Sequence, residues 1–357
     1  MLLFASKPYD ILILEYGVDH PGEMDFLLSI VKPDIGIFTA IDSVHSEQFG
    51  DPDAIARDES AMVLASKEVV FLNAQDTYAM QIAHDISADV FLYQTKWHDH
   101  THIHVWSENE LFVWDEKYMY VTFDLHIKNK KIQVQTNVFG KAHYGYVGVA
   151  FTIADMIAHK WSGTTVTGFM QGIVMDYDLQ AGRLWLFAGY KDSVIVDSSY
   201  NASPLSVRKV IDTVHVMRQQ LLPDYKVRLI LWDMRELGDL TEKEHRSLAG
   251  YVHHSADEVF LVGQYMKGYL YDELDKIGYD MSHVQWFSKS TQCGETLREL
   301  LQASDEKILL VFKGSQNTIF LEEAIKRVLY DPADIQKLVR QGDYWTKTKR
   351  LFFGEDF

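Results

Sequence analysis

The chain reads as an α/β protein of two domains: a mostly parallel sheet with added antiparallel strands, followed by a Rossmann-like α/β domain. Three observations predict this. Over residues 10–88, short apolar runs alternate with amphipathic stretches (ILILE, GEMDFLLSIV, IGIFT, PDAIARDESAMVLA, VVFLN), the rhythm of βα units whose strands lie parallel beneath helices. Over residues 90–139 that rhythm yields to period-two alternation around a Lys-Asn-Lys-Lys turn, which adds antiparallel strands to the same sheet. Near Gly182 a second strand and helix series begins.

The elements follow in order. Helical periodicity covers residues 146–158, and residues 163–172 are loop-like. The second series has strands at 184–188 and 194–196, a helix opened by Pro204, a strand at VRLILW, a helix from Thr241, strands at EVFLV and KILLVF, and a helix over 319–329. The expected domains are residues 1–180 and 181–331, with 332–357 a tail packed on the surface. At 357 residues and 47% apolar content the chain is long enough for two cores.

Composition excludes several roles. With 51 acidic against 34 basic residues the formal charge is −17, which repels nucleic-acid backbones and anionic lipid heads. The lone Cys293 forbids an internal disulfide, and its bland setting reads as an ordinary small residue. No apolar run of about 18 residues is present for membrane insertion. Polar residues interrupt the start, MLLFASKPYDILILE, where a signal peptide needs an apolar stretch, so a cytoplasmic protein is expected.

Parallel strands place ligands at their carboxyl edge. Glu15 closes ILILE, His45 lies in the loop after IGIFT, and Glu59 falls in the first turns of the helix begun by Asp51-Pro52. Carboxylate, imidazole and carboxylate at one rim suit a hard cation such as Mg2+. Separately, WHDHTHIH places His98, His100, His102 and His104 at period two, one face of a strand, where Zn2+ or Ni2+ binding competes with a plain polar strand.

Residues 14–50, LEYGVDHPGEMDFLLSIVKPDIGIFTAIDSVHSEQFG, resemble the central-domain signature of Mur ligases. FLNAQDT, AGRLWLF, IVDSSYNASPLSV, LWDMRELGDLTEKEH and VFKGSQN extend the resemblance over nearly the whole chain, toward the branch that adds D-alanyl-D-alanine in peptidoglycan synthesis. The resemblance implies an ATP- and Mg2+-dependent ligase that joins a dipeptide amine to a UDP-sugar peptide through an acyl phosphate. It implies Mg2+ at Glu15 and His45, and at Glu59 in place of the family's carbamylated lysine. It also implies nucleotide contacts from Arg183, Asp197, Tyr200 and Asn201, and an acceptor side lined by Lys313, Ser315 and Asp233.

The chain departs from that pattern. It contains no G-x-x-x-x-G-K-[ST] phosphate loop. The family places that loop and a UDP-sugar domain before LEYG, so a truncated reading frame, a fragment or half of a split enzyme is expected, with an incomplete sheet and no activity until a P-loop segment, encoded just upstream or carried by a separate chain, is supplied. Ser198 stands for the second aspartate of a pair, Tyr144 (after His143) for an asparagine near the adenine, and Gln316 for a basic residue. The alternative is a non-catalytic binding or regulatory protein on the same scaffold.

Overall fold

The protein is described by a computed structural model covering residues 10–94, 103–115, 118–165, 172–175, 177–315 and 320–354. Its first sheet has seven strands lying side by side in chain order: β1 (Ile35–Phe38), β2 (Val69–Asn73), β3 (Asp89–Tyr93), β4 (Val105–Asp115), β5 (Tyr118–Ile127), β6 (Lys130–Thr136) and β7 (Gly172–Met175). β1 to β3 are parallel, while β4, β5 and β6 form the expected antiparallel addition, with Lys128 at φ 53 in the tight turn between the last two. β7 adds a parallel strand that the sequence reading did not expect.

The second sheet contains β8 (Trp185–Ala188), β9 (Val194–Ser198), β10 (Lys226–Trp232), β11 (Glu258–Val262), β12 (Val284–Phe287) and β13 (Ile308–Lys313), in the order β12-β11-β10-β13-β9-β8. All neighbours are parallel except β8 and β9, which close a hairpin through Lys191 and Asp192 at positive φ. β13 is buried along its whole length and β10 beyond its first residue, as continuous apolar runs between two helical layers should be.

Helix starts obey local chemistry. Asp51 accepts from the Ala54 amide at 2.7 Å to open Pro52–Leu64, and Ser203 with Ser206 forms a reciprocal capping box at Pro204–Leu221. The helix predicted over 146–158 runs from Lys141 to Ser162. Gly148 on it allows close packing: a Cβ there would stand 2.3 Å from a Val105 methyl and 2.8 Å from one of Leu125. One contiguous apolar cluster joins Phe71, Phe123 and Val134 of the first sheet to Leu229, Leu261 and Val311 of the second.

Two expectations are corrected. ILILE is not a strand: residues 11–18 carry no ladder, and Ile11, Leu12, Ile13 and Leu14 are exposed, Ile13 to 90%. A strand needs a neighbour for its amides, and β1 is the edge of its sheet with none of the described residues paired beyond it. The tail is also more than a surface wrap. It folds into a short 3-10 helix (Pro332–Lys337) and an α-helix (Asp343–Phe353) whose Lys349 is buried.

Replacing Gly148 with alanine gains helix propensity but drives a methyl into Val105, which is itself buried. Overpacking of this kind costs about 1–3 kcal/mol against a propensity gain of about 1. Gly148→Ala is therefore expected to lower the urea unfolding midpoint, measured with tryptophan fluorescence.

Candidate active site

Glu15, His45 and Glu59 line one cleft of about 280 Å³, together with Tyr16, Asp19, Thr39, Asp42 and Ile55. Glu15 reaches it from an extended segment, not from a strand end. Four carboxylates, Glu15, Asp19, Asp42 and Glu59, face this space, with no lysine or arginine among the described residues that line it. Burial, reinforced by the Asp58 and Asp76 charges, pushes the Glu59 carboxyl up to about 7. One Asp58 carboxylate oxygen is buried without a hydrogen bond, while its other accepts the Gly22 amide at 2.9 Å. Among the described residues no three His, Cys, Asp or Glu side chains are gathered tightly enough to hold a metal by themselves. Mg2+ makes a lesser demand, because it keeps several waters and takes one or two carboxylates plus substrate phosphates. The hard oxygen donors and their uncompensated charge fit that ion.

His45 is held from both sides. Its Nδ1 lies 3.1 Å from Glu236 of the second domain and its Nε2 3.4 Å from Asp19. His45 and Glu236 are both non-glycine residues at positive φ, 67 and 62, a conformation that surrounding contacts must maintain. Those contacts are dense: the Glu47 amide donates to the Glu236 carbonyl at 3.3 Å, and a Cβ on Gly238 would meet the Glu47 backbone at 3.1 Å. Behind the loop sits His245, fully buried, whose Nε2 accepts from the Met234 amide at 3.0 Å while Nδ1 faces the Thr241 carbonyl at 2.7 Å. That pairing assigns the proton to Nδ1.

From the cleft, Asp42 reaches the start of the helix that follows β9 of the second sheet. Asp42 accepts the Leu205 amide at 3.1 Å, and burial raises its carboxyl despite that bond and those from Ser203 and Ser43. Lys313, at the end of β13, is buried with its Nζ 3.3 Å from the Ser198 hydroxyl. Burial and the Arg183 charge push its ammonium down to about 7 against the attraction of Asp197 and Asp42. Asp197 is fully buried; one oxygen accepts the Ser199 amide at 2.9 Å, the other is unpaired, and burial pushes its carboxyl up to about 6. The Arg183 guanidinium lies over the Tyr200 ring at 4.3 Å, and Ser315 donates to Asn201 at 3.4 Å. Because β10, β11 and β12 run outward in turn and the chain then returns to place β13 on the other side of β10, the strand order reverses between β10 and β13, where α/β sheets open a ligand crevice.

Some expected residues stand elsewhere. Asp233 does not face the acceptor side freely: it accepts the Met266 amide at 2.8 Å, with the Tyr265 and Gln264 amides also directed at it, and so holds the turn after β11. Tyr144 is buried in the core and stacks on Phe123 at 4.4 Å. The His143 imidazole beside it is pushed down to about 4 by burial and by Arg183. His104 accepts the Leu92 amide at 3.1 Å and packs on Phe91; His98, His100 and His102, like Gln316, lie outside the described residues. Cys293 is buried in the core and its thiol is pushed up. Asp19, Asp42, Glu236 and His245 were not among the residues expected at the site, although all four lie in the quoted blocks and Asp42 is an acid three residues before His45.

The family description "Mur ligase middle domain" matches residues 1–151, and "Mur ligase, glutamate ligase domain" matches residues 182–316. The UDP-N-acetylmuramoyl-tripeptide–D-alanyl-D-alanine ligase of Bacillus subtilis is 26% identical over 334 residues, 93% of this chain and 67% of that protein. The Rickettsia prowazekii ligase of the same name is 27% identical over 310 residues, 85% of this chain and 63% of that protein. Two solved structures share the fold: MurF from Acinetobacter baumannii (TM-score 0.67, 20% identity, covering 90% of this chain and 63% of that one) and a MurF ligase from Thermotoga maritima in complex with ADP (0.62, 16%, 89% and 65%). The chain thus spans about two thirds or less of the length of these relatives.

His245 supplies the pH test of this arrangement. Its imidazole is pushed down to about 4 by burial, so below pH 6.5 the unfolded chain binds a proton that the folded chain refuses. The stability this contributes is complete above about pH 6.5 and is lost as pH falls through 4, up to about 3 kcal/mol in all. His245→Gln is expected to be less stable at pH 7 and to show a flatter decline between pH 6.5 and 4, measured by denaturant unfolding across that range.

Proposed function

We propose, because the chain belongs to the Mur ligase family, that it supplies the middle and C-terminal domains of an ATP-dependent amide-forming ligase of peptidoglycan precursor synthesis. The γ-phosphoryl group of ATP passes to the terminal carboxylate of a UDP-N-acetylmuramoyl peptide. The amine of a D-alanyl-D-alanine-like dipeptide then displaces phosphate from the acyl phosphate, leaving amide, ADP and phosphate. The observation that carries this reading is the convergence of Glu15, His45 and Glu59 on one acidic cleft.

Mg2+ bound there would offset the charge that gathers on the transferring oxygens. Glu15, His45 and Glu59 are the groups that would face that ion. Arg183, stacked on Tyr200, together with Asp197 and Asn201, would face the nucleotide from the second domain. Lys313 and Ser315 would stand on the acceptor side, and a lysine held near 7 is suited to take the proton that the attacking amine must release. Residue 180 divides the two catalytic domains in this reading, and residues 332–357 form a tail. A cytoplasmic location accords with it, and no helix among the described residues is long and apolar enough to cross a membrane.

The phosphate-cradling loop would come from a segment outside this sequence, upstream in the same polypeptide or on a separate chain. The second reading, a non-catalytic binding or regulatory protein, is favoured by the lack of a G-x-x-x-x-G-K-[ST] motif. Phosphate release in the presence of UDP-N-acetylmuramoyl tripeptide, D-alanyl-D-alanine and Mg-ATP separates the two. The chain alone is expected to give none, and addition of a segment bearing the loop is expected to produce dipeptide-dependent release that Glu15→Ala and Glu59→Gln each reduce at least tenfold. If no added segment yields release and calorimetry detects no Mg-ADP binding, the ligase reading fails.

A further inference from the structure

A buried charge network joins the tail to the loop after β9. Glu322, fully buried, accepts from Arg340 Nε at 3.1 Å and from its Nη2 at 2.8 Å, and pairs with Lys349 Nζ at 2.7 Å. Lys349 also reaches Glu323 at 2.7 Å and the Arg340 carbonyl at 2.8 Å. The rings of Trp345, Phe352 and Phe353 close over Phe320 to seal this network from water. Arg340 has donors to spare: Nη2 also gives a hydrogen bond to the Ser199 carbonyl at 2.8 Å, and Nη1 one to the Tyr200 carbonyl at 3.3 Å. Its own backbone sits at φ 54, a conformation held by these contacts.

We propose that Arg340 is a positioning residue, which fixes the Ser199–Tyr200 backbone and through it the Arg183–Tyr200 platform that receives the ligand of this rim. The chain of contacts is short. The Tyr200 amide donates to the Gly182 carbonyl at 3.2 Å, and Tyr200 carries the Arg183 guanidinium on its ring. The planar fork reaches the Glu322 carboxylate through Nε and Nη2 and the two carbonyls through Nη2 and Nη1; a lysine ammonium keeps the charge but gathers its donors on one atom and loses that spread. The tail is thus a strap whose grip is read out at the loop. That the ligand is an adenine nucleotide rests on the function proposed above; the strap itself does not.

The test uses the full chain. Arg340→Lys retains the charge opposite Glu322 and so retains the fold, whereas Lys326→Met removes an ion pair to Glu323 that does not touch the loop. Amide hydrogen exchange of the peptide spanning residues 197–203 is expected to speed up at least tenfold in Arg340→Lys and to stay at the wild-type rate in Lys326→Met, with peptides from β10 and β11 unchanged in both. Wild-type exchange in Arg340→Lys, or equal acceleration in the two variants, overturns the proposal. Titration with Mg-ADP is a separate arm: at least tenfold weaker binding in Arg340→Lys supports the link to the nucleotide. Absence of binding in the wild type rejects the nucleotide reading and leaves the exchange result to decide the strap.

Discussion

Uncompensated negative charge in one cleft is the constraint on which the rest of this structure turns. Glu15, Asp19, Asp42 and Glu59 share it with the His45 imidazole, and burial raises the Glu59 and Asp42 carboxyls, helped by the Asp58 and Asp76 charges at the first and by Glu244 at the second. A fold seeking only stability would have placed an arginine among these acids or replaced one with an amide. Their retention at the carboxyl edge of a parallel sheet is intelligible if a divalent ion and a polyphosphate complete the site.

The two domains meet around that charge in a defined way. His45 spans from Asp19 to Glu236, the Glu47 amide bonds the Glu236 carbonyl, and Asp42 takes the Leu205 amide. Each contact joins a candidate site residue or its neighbour in the first domain to a loop or a helix start of the second. The partners on the second domain are in turn buttressed from behind, the Met234 amide by His245 and the Ser199 and Tyr200 carbonyls by Arg340. Some of the contacts that join the domains therefore also shape the cleft, beside the apolar cluster that packs the two sheets together.

Much of this was legible in the residues, for identifiable reasons. Continuous apolar runs such as VVFLN and KILLVF mark buried parallel strands, and the alternation of residues 118–136 marks the antiparallel hairpin. His45 was readable because it follows β1, and Glu59 because it lies on the helix that opens at the same rim; Glu15 was read from a strand that is not there, although its side chain still lines the cleft. ILILE misled because a strand's apolar pattern does not state whether a neighbour is present, and its amides have none among the described residues. Asp233 misled because an acid after a strand serves equally well as an acceptor for the next turn, which is where Met266 directs it. Glu236, His245 and Arg340 act through contacts across tens to hundreds of residues in sequence, and no periodicity encodes such a pairing.

The claim most open to direct measurement is that these acids await a divalent ion. Crystals of the chain grown with Mn2+ and ADP, with data collected at the manganese absorption edge, would locate it. The account predicts an anomalous peak in the cleft within coordinating distance of Glu59 or Glu15 and beside His45. A well-ordered cleft without a peak, with Glu59 and His45 still in their present contacts, would contradict it.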